Sequence, residues 1–310
     1  MTHIENTAVI GAGVIGASWT ALFAAAGLSV NVYDPSPSVE EDVRSYIDTV
    51  WPTLMDLGLA RNEEKGEIHF CDAVAEAVHD VRFVQENVPE QIEIKHKTFA
   101  EMEPALHKEA IVASSASGLM VKEMQSGWKD PSRFILGHPF NPPHLIPLVE
   151  LLGNEATAMG VLEAAEAFYK SVGKVTIRVN KEVPGHVANR LQAAIWREAI
   201  HLINEGVASV EDVDKAVWAG PGLRWAAMGP TMLFHLGAGE GGLASFCQRY
   251  TNSFNRWWED LGDLRLNPEI AKKLCDGVEG ATDSKSVVSL SSHRDKLITG
   301  MLKAKSDIAD

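Results

Sequence analysis

The sequence predicts an α/β domain with a mostly parallel sheet, followed by an all-α C-terminal domain. Three observations carry that prediction. An apolar run at 7–10 passes through a glycine-rich turn into a small-residue helix and a second apolar run ending at Asp34. Short apolar runs then alternate with helical patterns as far as residue 180, the βαβ signature of helices on both faces of a sheet. After Lys181 the texture changes and the strand patterns stop. The expected division is therefore residues 1–182 for the sheet domain and 183–310 for the helical one.

Taken in order, the expected strands are 7–10, 29–33, 67–70, 81–85, 110–114, 134–137, 146–151 and 174–178. Between them, a helical stretch over 39–60 is interrupted by Pro52 and ends near Gly58, another helix spans 91–106, and a third spans 155–172 and closes at Gly173. In the second half, Pro184-Gly185 opens the amphipathic segment HVANRLQAAIWREAIHLINEG, which ends at Gly206. Helices are expected thereafter near 209–219, 228–237, 240–261, 267–278 and 286–305. Trp257 and Trp258 are expected in the core of this half.

The turn after the first strand reads Gly11-x-Gly13-x-x-Gly16. Gly11 permits the tight turn, Gly13 lets the backbone approach a pyrophosphate, and Gly16 lets helix and strand pack closely. Val14 and Ile15 begin the helix, whose free N–H groups and positive dipole end face phosphates. Asp34 stands where ribose hydroxyls would be bound, and its charge repels a 2′-phosphate. Pro35 and Ser36 follow it, with no arginine, so this Rossmann-type unit favours NAD over NADP. A doubly wound domain can also hold FAD, or no nucleotide.

The formal net charge of −14 argues against nucleic acid and anionic membranes as partners. Cys71, Cys247 and Cys275 are an odd number without metal-ligand spacing, so neither a disulfide framework nor a metal site is expected. The opening MTHIEN has no basic region before its apolar run, and no segment approaches the length of a membrane span. A cytoplasmic protein is expected.

Four segments hold polar residues where a core would want apolar ones: Ser114 to Leu119, His138 to Pro143, Leu148 to Glu150, and Ala188 to Arg190. From residue 7 to about 250 the chain resembles the 3-hydroxyacyl-CoA dehydrogenase superfamily. The signature His-x-x-Asn-Pro, followed by Pro-Leu-Val-Glu, carries the resemblance. It implies that His138 is the general base for a substrate hydroxyl and that Glu150 pairs with it. It implies further that Ser117 and Asn189 are hydrogen-bond donors near the reacting oxygen, and that Glu90, Lys95, Ser117 and Asn141 line the nicotinamide side of the cofactor. The pairing of His138 and Glu150 is chemically sound by itself, since a carboxylate on one imidazole nitrogen sets the tautomer and stabilises the imidazolium. His69, His144, His186, His201, His235 and His293 are read as surface or packing residues.

The substrate is expected to be a free acid. Residues 39–60 carry Glu40, Glu41, Asp42, Asp48 and Asp56 against Arg44 alone, which repels the phosphates of a CoA ester. Gly222-Leu223-Arg224-Trp225-Ala226 resembles the branch holding L-gulonate 3-dehydrogenase (the lambda-crystallin group) and L-carnitine dehydrogenase. Arg224 suits a carboxylate, because a guanidinium fork makes two parallel hydrogen bonds. A structural ion pair for Arg224 is the plainer alternative. Trp196 and Trp225 are candidates for an aromatic cage around a trimethylammonium group, or for core. The expectation is thus an NAD-dependent oxidation of a small 3-hydroxy acid, L-gulonate-like or L-carnitine-like. The alternatives are a short-chain L-3-hydroxyacyl-CoA dehydrogenase and a non-catalytic, crystallin-like NAD-binding protein. A homodimer built by the helical domain is expected, with Trp196, Ile200, Ile203, Trp218 and Phe234 among its candidate core or interface residues.

Overall fold

The computed structural model describes residues 4–60, 64–283 and 285–308; Met1 to His3 of the opening segment lie outside them. The first unit alternates β1 (Asn6–Ile10), α1 (Val14–Ala25), β2 (Ser29–Tyr33), α2 (Val39–Asp56), β3 (Ile68–Phe70), α3 (Val74–Ala77), β4 (Phe83–Glu86), α4 (Ile92–Met102), β5 (Ile111–Ser114) and α5 (Val121–Gln125). It continues through β6 (Phe134–Pro139), β7 (Leu148–Leu152), α6 (Val161–Ser171) and β8 (Val175–Arg178). All eight expected strands are present, within a few residues of their expected ends. They form one sheet in the order β3-β2-β1-β4-β5-β6-β7-β8, parallel throughout except where β7 runs antiparallel to β6.

The strand order reverses between β1 and β4, which makes their carboxyl ends the crevice where open α/β sheets bind ligands. One apolar layer covers the sheet with Trp19 and Phe23 of α1, Val43 and Ile47 of α2, and Phe168 and Tyr169 of α6. The other covers it with Val74 of α3, Phe99 and Met102 of α4, and Val121 and Met124 of α5. Small residues let α1 lie close to the strands, and Gly16 to Ala25 are all buried.

Three expected helices are shorter than their periodicity suggests. The helix expected over 155–172 begins only at Val161, because the Asn154 side chain accepts the Ala156 N–H at 2.9 Å and makes a turn there. The helix expected over 91–106 ends at Met102 and tightens into a 3₁₀ turn at Glu103–Ala105. Pro52 does not break α2, which runs through it to Asp56.

The second unit is helical: α7 (Ala188–Asn204), α8 (Val210–Ala219), α9 (Pro221–Ala227), α10 (Pro230–Gly237), α11 (Gly242–Asp260) and α12 (Pro268–Thr282), with α13 (Val287–Ile308) closing the chain. The short α9 escapes sequence reading because Pro221-Gly222 resembles a turn, yet proline is well suited to the first position of a helix. Residues 295–306 group with the first unit, where Lys303 pairs with Asp56; the expected division had assigned everything past 183 to the helical half. Trp257 and Trp258, expected in the core, are exposed, although each ring lies beside Phe254. Among the described residues no helix is long and apolar enough to cross a membrane.

Candidate active site

The glycine turn follows β1 at the sheet's carboxyl edge. Gly11 adopts φ +86°, and a Cβ there would lie 2.8 Å from the backbone of Asn87 and Val88. A Cβ on Gly16 would overlap the Gly11 carbonyl, whereas one on Gly13 would meet nothing within 4 Å. The three glycines therefore differ: two serve the fold, and Gly13 keeps a space open. Helix α1 has no side-chain cap and no acidic residue in its first turn, so its N–H groups at Val14 and Ile15 are left for an anion. At the end of β2, Asp34 accepts the Ala12 N–H at 2.7 Å and the Ser36 N–H at 2.9 Å. Its carboxylate therefore holds the glycine turn. These features fit a dinucleotide.

Beyond β4 lies a buried ion pair. Lys95 Nζ donates to both carboxylate oxygens of Glu86, at 2.7 and 2.9 Å, and to the Val88 carbonyl at 3.2 Å. Val88 N–H and Ser114 Oγ complete the set around Glu86, at 2.7 and 2.5 Å. Lys95 is expected on the nicotinamide side; its three N–H bonds also hold the 86–88 turn together. Glu90 accepts from Ser117 Oγ at 2.8 Å and from the amides of Ser117 and Leu119 at 2.9 and 3.0 Å, with Gly118 N–H also donating. Burial by itself would raise the Glu90 carboxyl, but the bonds from Gly118, Ser117 and Leu119 outweigh it and leave the group below the usual glutamate range. Glu90 thus orients Ser117 and takes its hydroxyl hydrogen.

The reversal of direction at β7 builds the next feature. Antiparallel pairing sets His138 of β6 directly opposite Glu150 of β7, so both side chains rise from one face. His138 Nδ1 lies 2.9 Å from Glu150 Oε2. A carboxylate oxygen accepts, so Nδ1 carries the hydrogen and Nε2 is left as the acceptor of the ring. The other oxygen of Glu150 accepts the Val187 N–H at 3.0 Å. Glu150 is fully buried and His138 is 6% exposed.

The loop from Phe140 to Pro147 is anchored by residues that carry no motif. His144, buried, bonds Ser18 Oγ at 2.9 Å and Tyr46 OH at 3.1 Å through Nδ1. The buried Lys174 ammonium donates to the carbonyls of Pro143 and Ile146 and sits 4.9 Å over the Trp19 ring. Asn141, which precedes a cis proline, is exposed on this loop.

Asn189, Trp196, Arg224 and Trp225 belong to the second unit. Asn189 lies in the first turn of α7, Trp196 is exposed further along it, and Arg224 and Trp225 are on α9. Among the described residues Arg224 has no ion-pair partner. No group of residues able to hold a metal occurs among the described residues.

Residues 6–183 match the family model for the 3-hydroxyacyl-CoA dehydrogenase NAD binding domain, and 185–273 match that for the C-terminal domain. L-carnitine dehydrogenase of Streptomyces coelicolor is 41% identical over 302 residues, covering 97% of this chain and 95% of its own. L-carnitine dehydrogenase of Oceanobacillus iheyensis is 37% identical, covering 98% and 99%. Among solved structures, an NAD+ dependent dismutase, the 5-dehydrogenase of 5-formyl-3-hydroxy-2-methylpyridine 4-carboxylic acid, superposes with TM-score 0.84 at 29% identity, covering 98% and 99%. The (S)-3-hydroxybutyryl-CoA dehydrogenase of Ralstonia eutropha reaches TM-score 0.62 at 26%, covering 80% and 88%.

Proposed function

This chain belongs to the 3-hydroxyacyl-CoA dehydrogenase family, and from that premise we propose that it oxidises the 3-hydroxy group of L-carnitine to the 3-keto acid. It is an NAD-dependent hydroxy acid dehydrogenase; the substrate and the roles of its residues are our reading. The observation that carries the reaction is the cross-strand pair of His138 and Glu150 at the carboxyl edge of the sheet. Bound NAD supplies the nicotinamide C4 that accepts the hydride. His138 Nε2 takes the proton of the substrate hydroxyl, and Glu150 stabilises the imidazolium that forms. Ser117 turns its O–H from Glu90 to the reacting oxygen, and Asn189 supplies a second donor as negative charge develops there. Gly11, Gly13, Val14, Ile15, Gly16 and Asp34 hold the dinucleotide, with Glu90 and Asn141 towards the nicotinamide.

The free-acid reading is supported by relatives 37–41% identical over nearly their full length that bear the name L-carnitine dehydrogenase. It is also supported by α2, whose Glu41 and Asp42 are exposed and whose Arg44 is engaged by Glu40 at 2.9 Å, leaving no cation for CoA phosphates. Arg224 binds the substrate carboxylate, and Trp196 with Trp225 receives the trimethylammonium end. The enzyme acts in the cytoplasm as a homodimer, in keeping with free thiols at Cys71, Cys247 and Cys275.

The test is NADH production from L-carnitine, L-gulonate and 3-hydroxybutyryl-CoA side by side. L-carnitine is expected to show the highest kcat/KM. A preference for the thioester would restore the acyl-CoA alternative, and no turnover with any of the three would leave a non-catalytic NAD-binding protein. Arg224→Met should raise KM for the free acid on the order of 30-fold or more, the effect of removing one partner from a desolvated charge pair. It should leave NADH affinity unchanged.

A further inference from the structure

His186 is the one histidine of the first unit that is buried with both ring nitrogens lacking a hydrogen-bond partner among the described residues. It is 3% exposed, and its ring centroid lies 5.5 Å from that of His138. Its backbone is also unusual. His186 adopts φ +49° directly after Gly185 at φ +74°, a left-handed conformation uncommon outside glycine, although histidine, asparagine and aspartate adopt it more often than other residues. The next residue, Val187, gives its N–H to Glu150, so the turn carrying His186 is docked on the catalytic pair itself. From sequence alone this histidine reads as a surface or packing residue.

A residue that only filled space here would serve better without nitrogens. Burying an imidazole with both nitrogens unpaired, in a strained backbone, costs stability twice, and such costs persist chiefly where function requires them. Burial first, and the nearness of His138 second, hold the ring below the usual histidine range, against the opposing influence of Glu150, Glu182 and Glu90. It is therefore neutral at pH 7, with one N–H to donate and one bare nitrogen to accept. His138, whose role demands substrate contact, is enclosed to a similar degree.

We propose that His186 is a substrate-binding residue, whose neutral imidazole hydrogen-bonds an oxygen of the hydroxy acid beside the carbinol that His138 serves. The proposal rests on the hydroxy-acid reading above. The partner arrives only with the substrate, and the bond is present in ground state and transition state alike, so its loss shows in KM rather than kcat.

The test compares wild type with His186→Phe and His186→Asn, using NAD and the free 3-hydroxy acid that wild type oxidises best. Phenylalanine keeps the volume and removes the nitrogens; asparagine keeps a donor and an acceptor and tolerates a left-handed backbone. His186→Phe is expected to hold or raise Tm, since an apolar group replaces an unpaired polar one. It should raise KM on the order of ten- to a hundredfold, change kcat less than about threefold, and leave NADH affinity alone. His186→Asn should recover part of the lost affinity. A His186→Phe enzyme with wild-type KM, or one that loses Tm, kcat and NADH binding together, would overturn the proposal. If His186→Phe does not fold, the contrast of His186→Asn with His186→Ala decides, and equal KM values for those two overturn it. Wild type inert on every free hydroxy acid would remove the hydroxy-acid reading and this inference with it, whereas an active wild type with an unaffected variant removes the inference alone.

Discussion

His138 of β6 has the Glu150 carboxylate directly across the strand pair. Because Glu150 accepts from Nδ1, a substitution that keeps size and polarity but cannot cycle a proton should isolate the chemistry. His138→Gln is expected to lower kcat by about 10²–10⁴-fold, the range typical of a lost general base. NADH affinity should stay within a factor of two or so by fluorescence titration, since the glycine turn is untouched; a variant retaining more than a tenth of wild-type kcat would refute the assignment. The contact of His138 with Glu150 was legible from a short motif. The partners of Lys95 were not. An ε-ammonium on a long stem reaches wherever the nearest buried carboxylate lies, and Glu86 carries no motif.

At the scale of elements, the glycine turn makes a contrast available. Gly13→Ala meets no atom within 4 Å in the folded protein, so Tm without cofactor should hold while NAD affinity falls, because the added methyl occupies the space left for phosphate. Gly16→Ala overlaps the Gly11 carbonyl and should lower Tm itself; equal Tm losses for both would count against this division of roles. A second case lies under the Phe140 to Pro147 loop. Burial pulls Lys174 down to about 7, while the unfolded chain titrates at the ordinary lysine value. Between those two values the unfolded state holds the proton and the folded state does not, so this residue's contribution to stability rises with pH across that window. Below about pH 7 both states are protonated, and its penalty is constant. The neutral amine still has two N–H groups for the Pro143 and Ile146 carbonyls. Denaturant unfolding at pH 7 and pH 9 should therefore show wild type gaining about 2 kcal/mol relative to Lys174→Met. A pH-independent difference would refute it.

For the whole molecule, the second unit leaves much apolar surface in water. Trp218 and Trp258 are 66% and 63% exposed, and Leu191, Trp196, Met232 and Leu236 are exposed as well. Its own buried cluster is small, centred on Ile203, Val210 and Val213. Faces of this extent mark association surfaces, which supports a homodimer formed through these helices. Light scattering at micromolar concentration should give about twice 33.7 kDa, and Trp258→Glu with Leu191→Asp should shift the mass towards one chain. A wild-type monomer would rule the dimer out.

The sequence by itself determined the eight strands, the dinucleotide turn, the change to helices after Lys181 and the family, because each is written in local periodicity, turn chemistry or a short motif. It also named His138 and Glu150, though their pairing became geometry only through the antiparallel register of β6 and β7, where a slip of one residue would turn Glu150 to the other face. The tertiary structure alone decided which polar atoms find partners. Ser18 meets His144 across 126 residues, Lys95 closes on Glu86, the end of α13 groups with the first unit, and His186 is buried without a partner beside His138. Spacing along a chain cannot encode such outcomes, because the low dielectric of a core makes each buried polar group depend on whatever the fold brings within about 3 Å of it.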